Sequence, residues 1–401
     1  VAATQTILIR VSGPDAPGIT SHLMAQLDVL GATVQDVEQV VIRRHLVLGV
    51  VAELPDDASL SALRAFGVGT GLSIDVSRVD ATPTERELGT IVTVLGARLT
   101  PTALGAAADA VASCGGNIDR ILRLSRYPVV SYELAVSGAP VDELRSKLVE
   151  IAQLHAIDVA IQPDGLRRRS QRLVMLDVDS TLIQNEVIEL LADECGCGEA
   201  VAELTARAMS GELDFEAALR ERVRLLAGLD VAALERARAR VVLTPGARTF
   251  VRTLRRMGFR IAIVSGGFTH FTDRLREELQ LDHAFANELE VRDGRLTGEV
   301  TGRIVDRSRK AELLAHVARL EGIPLDQTVA VGDGANDLDM LAAAGLGIAF
   351  NAKPVLREAA DTTVNVPYLD AILSVLGIRR SEVEAADAAD ATIGEGRPAG
   401  G

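Results

Sequence analysis

Apolar and polar positions form strand-like runs over residues 6–11, 34–42, 46–54 and 72–76, with helical spacing over 19–30 and 60–66. The predicted order is βαββαβ, with a Gly/Pro-rich turn over 13–18. The same order returns further on. Strands are predicted over 90–95, 118–124, 129–136 and 157–161, and helices over 104–113 and 141–153. Two copies of one supersecondary pattern, about 85 residues apart, predict duplicated ferredoxin-like domains over 1–82 and 88–165. Polar segments broken by Pro or Gly, 80–87 and 162–172, read as linkers.

From residue 172 the pattern changes. Four short apolar runs, 173–178, 260–264, 328–331 and 347–350, are nearly continuous, as parallel strands buried on both faces should be. Helical stretches separate them. Residues 172–380 are therefore expected to form an α/β domain with a doubly wound parallel sheet. A helical insert over about 185–240 is placed to form a small cap over the strand ends. Asp293-Gly294 sits between alternating runs and signals a hairpin. The tail, 381–401, is Ala/Asp/Glu-rich and then Gly/Pro-rich, and is expected to be disordered.

Composition narrows the function classes. The chain has 401 residues, more than one domain of about 100–200 residues. Its 48% hydrophobic content excludes a wholly disordered chain. With no Trp and three Tyr, the cores must be aliphatic. The net charge of −14 argues against a nucleic-acid partner, which would call for basic excess. No stretch approaches the roughly 18–20 apolar residues of a membrane span. The first ten residues lack the basic and apolar blocks of a signal peptide, so a cytoplasmic protein is expected. Three cysteines, Cys114, Cys195 and Cys197, make no disulfide framework and read as ordinary thiols in a reducing compartment.

Three strand ends carry candidate chemistry. The first is Asp177-Val178-Asp179-Ser180-Thr181. Successive strand side chains alternate, so Asp177 and Asp179 can project from one side. Two such carboxylates suit Mg²⁺, a hard cation that takes oxygen ligands. They also suit a division of labour in which one attacks and the other moves protons. On residues alone, the pair reads equally as acids that end a strand and cap a helix. The second is Val264-Ser265-Gly266-Gly267-Phe268, where a hydroxyl and backbone N–H groups can hold phosphate oxygens. An ordinary strand-to-helix turn has the same look. The third is Gly332-Asp333-Gly334-Ala335-Asn336-Asp337, which lacks both the Walker and the G-x-G-x-x-G spacing. Asp333 can complete a metal shell begun by Asp177. Lys310 can neutralise a phosphoryl oxygen, or can be a solvated helix lysine.

Together, in this order, these motifs resemble the haloacid dehalogenase-like phosphatases. Within them the match is to the phosphoserine phosphatase family over roughly 172–375. Gly211-Glu212-Leu213-Asp214-Phe215, Arg222-Val223 and Ala284-Phe285-Ala286-Asn287 look like further signatures. The resemblance implies a Mg²⁺-dependent hydrolysis of phosphoserine to serine, the last step of serine biosynthesis, through an aspartyl-phosphate. It implies Asp177 as nucleophile and Asp179 as acid and base. Asp177, the Asp179 carbonyl and Asp333 would hold the metal, supported by Asp337. Ser265, Gly266 and Lys310 would clamp the phosphoryl group, and Asn336 would contact it or the substrate. Glu186 would take the substrate's ammonium, Arg222 its carboxylate, and Phe215 would shield the site. The two βαββαβ units resemble ACT domains, which bind amino acids and pair subunits. The resemblance implies serine as effector near Asp15 and Gly18, and a homodimer. The second unit has Leu99-Thr100-Pro101-Thr102 where the first has its glycine loop.

Two other readings stand beside this one: a phosphatase of the same type acting on another small phosphomonoester or a phosphoprotein, and an amino-acid-binding regulator with an inactive enzyme-like half. The second would be expected to show damaged motifs, yet Asp177, Asp179, Ser265, Lys310 and Asp333 are all present.

Overall fold

Alternation along β1 (Thr4–Pro14) puts Ile7, Ile9 and Val11 on one face, all essentially buried. They pack on Leu23 and Leu27 of the helix Ile19–Val29 and on Leu48 and Val50 of β3 (His45–Pro55). With β2 (Thr33–Ile42) and β4 (Ser73–Arg78) they make an antiparallel sheet of order β2-β3-β1-β4. The computed structural model describes residues 4–55, 60–80, 89–165, 167–209 and 214–395. It divides into two compact units, 1–85 and 86–401.

The second unit begins with the same topology. β5 (Thr90–Gly96), β6 (Asn117–Ser125), β7 (Val130–Ser137) and β8 (Asp158–Pro163) are ordered β6-β7-β5-β8. Thr100 caps the helix Pro101–Ser113, its hydroxyl accepting from Ala103 N–H at 3.1 Å. That cap explains why threonine can stand where the first repeat has Gly18.

The sheet does not stop at β8. It runs on through β15 (Thr362–Val364), β14 (Leu346–Phe350), β13 (Thr328–Gly332), β9 (Leu173–Asp177), β10 (Arg260–Phe268), β11 (His283–Arg292) and β12 (Arg295–Thr301). The strands from β15 to β11 are parallel, and β12 turns back through Asp293 and Gly294, both at positive φ. The seam at β15 and β8 is one antiparallel bridge, Thr362 to Ala160. Hydrogen bonds secure it. Asn365 donates to Asp158 from N and Nδ2 at 2.7 and 2.6 Å, and Gln162 Nε2 donates to the Val375 carbonyl at 2.8 Å. The second βαββαβ unit and the α/β body thus form one unit.

β9 is the switch point: the chain first builds β10 and β11 on one side of it, then β13 to β15 on the other. Ligands in open α/β sheets bind at the carboxyl ends of strands at such a point. The helices Val187–Cys195, Gly198–Met209, Phe215–Arg224 and Val231–Ala239 fill the interval between β9 and β10.

Two expectations are corrected. The tail is not disordered from 381: Arg380–Glu395 is a helix, held by buried Val383 and by Asp387 and Asp390 against Arg252 and Arg256. Residues 396–401, and 81–87 of the expected linker 80–87, lie outside the described residues. Cys195 and Cys197 are joined in a disulfide rather than free, while Cys114 is a buried thiol. Gly18 is needed for its φ of +93°, since a Cβ there would come no closer than 3.5 Å to His22. No described helix is long and apolar enough to cross a membrane.

Candidate active site

All five residues of β9 are buried, so its polar end alone can meet a ligand. Strand pairing ends at Asp177. A wide turn follows, closed by Ile183 N–H donating to the Val178 carbonyl at 3.0 Å, with Ser180 at φ +57°. Asp179 therefore enters the site from this turn, not from strand alternation as the sequence pattern led us to expect.

Two elements fix Asp179. Its Oδ1 accepts from Val187 N–H at 2.7 Å, at the start of the helix Val187–Cys195. Its Oδ2 accepts from the Ser265 hydroxyl at 2.6 Å, and that hydroxyl oxygen accepts from Gly267 N–H at 2.7 Å. A Cβ on Gly267 would lie 2.9 Å from Ser265 Oγ and 3.3 Å from Asp179 Oδ2, so the close approach requires glycine. Asn287 holds the same loop from behind, donating to the Gly266 carbonyl and accepting from Val305 N–H, both at 2.8 Å.

Lys310 lies in the helix Arg307–Leu320 and is 1% exposed. Its Nζ donates to Asp177 Oδ1 at 2.6 Å and to Asp337 Oδ1 at 2.7 Å. The other oxygen of Asp337 accepts from the N–H groups of Asp333 and Gly334 at 3.2 and 3.1 Å. Both oxygens of Asp337 are thus engaged. Carboxylate oxygens of Asp177, Asp333 and Asp337 lie within 4.8 Å of one another.

The electrostatics show strong mutual repulsion. Burial, then Asp337, Asp179 and Asp333, push Asp177 well above the usual carboxylate range, against the pull of Lys310. Burial and Asp337 push Asp333 up to about 7. Burial raises Asp179, opposed by its bonds from Ser265 and Val187. Burial disfavours the Lys310 ammonium, but Asp177 and Asp337 outweigh it and its pKa rises. Crowded acidic oxygens on a rigid frame fit a hard divalent cation, which would relieve that repulsion.

The cap brings other expected residues to the same place. Glu186 Oε1 accepts from Ser180 Oγ at 2.8 Å, and its carboxyl is raised by burial and by Asp179. Arg222 donates to the Ala218 carbonyl at 3.2 Å; burial lowers its pKa while Glu186 and Asp179 oppose that. Phe215 lies over Gly266, where a Cβ would come 3.2 Å from its ring. Asn336 is half-buried on the turn after β13. Residues 211–213 of the expected cap segment lie outside the described residues. Asp15 and Gly18 belong to the first unit, beside a cavity of about 390 Å³.

Lys353 was missed in the sequence. It follows the fourth strand end, and its charge lowers the pKa of both Asp333 and Glu186. The signal was available: β14 ends in Asn351-Ala352-Lys353-Pro354, a polar turn at the same sheet edge.

A family model for haloacid dehalogenase-like hydrolases matches residues 174–342, and two ACT-domain models match 5–77 and 89–162. The chain is 53% identical over 400 residues to the phosphoserine phosphatase of Streptomyces coelicolor, covering 98% of each. The chain belongs to the phosphoserine phosphatase family. This phosphoserine phosphatase family member is also 49% identical over 399 residues to phosphoserine phosphatase SerB2 of Mycobacterium tuberculosis, again covering 98% of each. Its fold resembles the unliganded crystal structure of a probable phosphoserine phosphatase from Vibrio cholerae, at 37% identity and a TM-score of 0.58, over 72% of this chain and 86% of that one. It is an enzyme of the phosphatase class, with a haloacid dehalogenase-like body and two ACT domains.

Proposed function

We propose that the protein hydrolyses O-phospho-L-serine to L-serine and phosphate through an aspartyl-phosphate on Asp177. The observation that carries this reading is the placement of Asp177: nearly fully buried, one oxygen held by Lys310, beside Asp333 and an independently anchored Asp179.

In the first step a free oxygen of Asp177 attacks phosphorus, and the serine oxygen leaves with a proton from Asp179. The raised pKa of Asp179 supports its role as acid. In the second step Asp179 takes a proton from water as the water oxygen attacks phosphorus, and the Asp177 carboxylate is restored. Lys310, Ser265 and the loop at Gly266 neutralise and orient the phosphoryl oxygens. Asn336 is placed on the turn beside Asp333 to contact the same group. Asp177, Asp333 and the Asp179 backbone carbonyl would hold Mg²⁺. Asp337, with both oxygens already bonded, positions Lys310 and the turn. When bound, the cation supplies positive charge to the phosphoryl oxygens.

Glu186 and Arg222 carry opposite charges near Asp179, suiting the ammonium and carboxylate of a free amino acid. Phe215 shields the reacting groups from water. The cavity at Asp15 and Gly18 is our candidate site for serine as a regulatory ligand. The reading includes a cytoplasmic homodimer. Its support is edge strand β2, which exposes Val37, Val40, Val41 and Ile42.

Phosphate release from O-phospho-L-serine, with and without Mg²⁺ and added L-serine, tests the reading against phosphothreonine and a phosphopeptide. Phosphoserine should have the highest kcat/KM and should require the cation. Equal turnover of the phosphopeptide would overturn the substrate assignment.

A further inference from the structure

The second unit holds a cavity of about 620 Å³ that shares no residue with the catalytic cluster. β6 and β7 supply one wall through Arg120, Leu122 and Glu133. The α/β body supplies the other through Thr253, Met257 and Phe259, and the segment leading into β9 crosses between them.

The cavity's charge runs against that of the chain. Six arginines line it, Arg120, Arg168, Arg169, Arg172, Arg256 and Arg379, against the carboxylates of Glu133 and Glu382, in a chain of net charge −14. Arg168 pairs with Glu133 at 2.7 Å, Arg120 reaches the same carboxylate at 3.6 Å, and Arg256 pairs with Asp387 at 2.5 Å. Arg169, Arg172 and Arg379 have no carboxylate within ion-pair reach among the described residues. Clustered guanidinium groups without counter-charges repel one another and form ready sites for carboxylate or phosphate oxygens.

Two further observations define the occupant. Nε of Arg168, Oε1 of Gln171 and Oγ1 of Thr253 are buried without a hydrogen-bond partner among the described residues, and all three residues line this cavity. Native structures leave few such atoms unpaired, and here three belong to residues that line one cavity. Phe259 gives an apolar surface, while Met257 is 52% exposed beside it. Single exposed methionines are ordinary, but this one lines the same cavity as guanidinium groups that have no carboxylate partner among the described residues.

We propose that this cavity binds a small organic anion, a phosphate or carboxylate carried on a flat apolar body. The anionic head pairs with Arg169, Arg172 and Arg379, and the body covers Met257 and Phe259. Because the lining comes from both sides of the seam, the ligand ties the second βαββαβ unit to the α/β body. The inference uses no catalytic residue and stands apart from the catalytic reading.

The test uses the full-length protein and 1-anilinonaphthalene-8-sulfonate, a fluorescent flat anion. The variants are Arg169→Ala/Arg379→Ala, at two exposed positions, and Met257→Glu, which puts a carboxylate at the mouth. Both should keep wild-type phosphatase turnover and should bind the probe at least tenfold more weakly. Adenosine 5′-monophosphate or indole-3-acetate should displace the probe from the wild type and raise its unfolding temperature. Displacement by the first assigns a phosphate head, and by the second a carboxylate head. Unchanged probe affinity in both variants overturns the proposal. So does displacement by inorganic phosphate alone as effective as by either organic anion, or failure of both organic anions at millimolar concentration.

Discussion

Lys310→Met tests how the site tolerates its own charge. The substitution keeps most of the side-chain volume and removes an ammonium that is 2.6 Å from Asp177 and 2.7 Å from Asp337, with only 1% of the residue exposed. Removing one partner from a buried ion pair costs about 3–5 kcal/mol, because a charge remains buried without compensation. For a unit of roughly 300 residues that corresponds to about 5–8 °C in unfolding temperature. The sign with pH follows from the folded pKa values. The Lys310 pKa is raised, so the lysine contributes its stabilisation throughout the neutral range and loses it only far into alkali. Without it, the Asp177 pKa rises further, and the folded variant takes up a proton that the unfolded chain would not. The variant's stability therefore falls as pH rises, and the difference from wild type is larger at pH 8 than at pH 5.5. Phosphatase turnover should drop by about 10²–10³, the scale of removing one preorganised charge-stabilising donor. Calorimetry at both pH values and steady-state kinetics measure these effects. A variant within 1 °C of wild type at pH 8, or one equally destabilised at both pH values, would refute the reasoning.

Other perturbations separate the remaining parts. Gly267→Ala forces a methyl group to within 2.9 Å of Ser265 Oγ, so kcat should fall by roughly 10² with little change in KM, as judged by initial rates. Arg222→Ala should raise KM for phosphoserine by about 10–100-fold, the scale of a charged hydrogen-bonded pair, and should barely affect an ester that lacks the carboxylate. Asp158 is buried at the seam and its pKa is pushed up to about 6 by burial, against two hydrogen bonds from Asn365. A raised carboxyl pKa means stability is lost as pH rises from about 4 through 6, by about 3 kcal/mol for this group. Asp158→Asn should remove that slope from the pH dependence of unfolding, read by denaturant titration.

Much of this architecture is written locally. The apolar run ending at Asp177 and the Asp293-Gly294 hairpin depend on neighbours within a few residues, and the structure has both, whereas Ser265-Gly266-Gly267 is an irregular stretch within β10 rather than the expected turn. Features set by distant partners were not legible. Lys310 sits in the basic run Arg307-Ser308-Arg309-Lys310, and only the helix's packing decides that it turns inward. β15 has three residues, too few for a pattern, and its pairing with β8 is fixed by Asp158 and Asn365, which are far apart in the chain. The helix Arg380–Glu395 has a solvated composition, but Arg252 and Arg256 meet Asp387 and Asp390 on it. Asp179 shows the opposite case, with the right residue chosen for an incomplete reason: it depends on a left-handed Ser180, which alternation could not foresee.

The most direct measurement is rapid-quench mass spectrometry of the enzyme during turnover of O-phospho-L-serine. The account predicts one phosphoryl adduct, on the peptide containing Asp177, absent in Asp177→Asn together with all turnover. Phosphate release by Asp177→Asn at the wild-type rate, with no adduct at that residue, would contradict it.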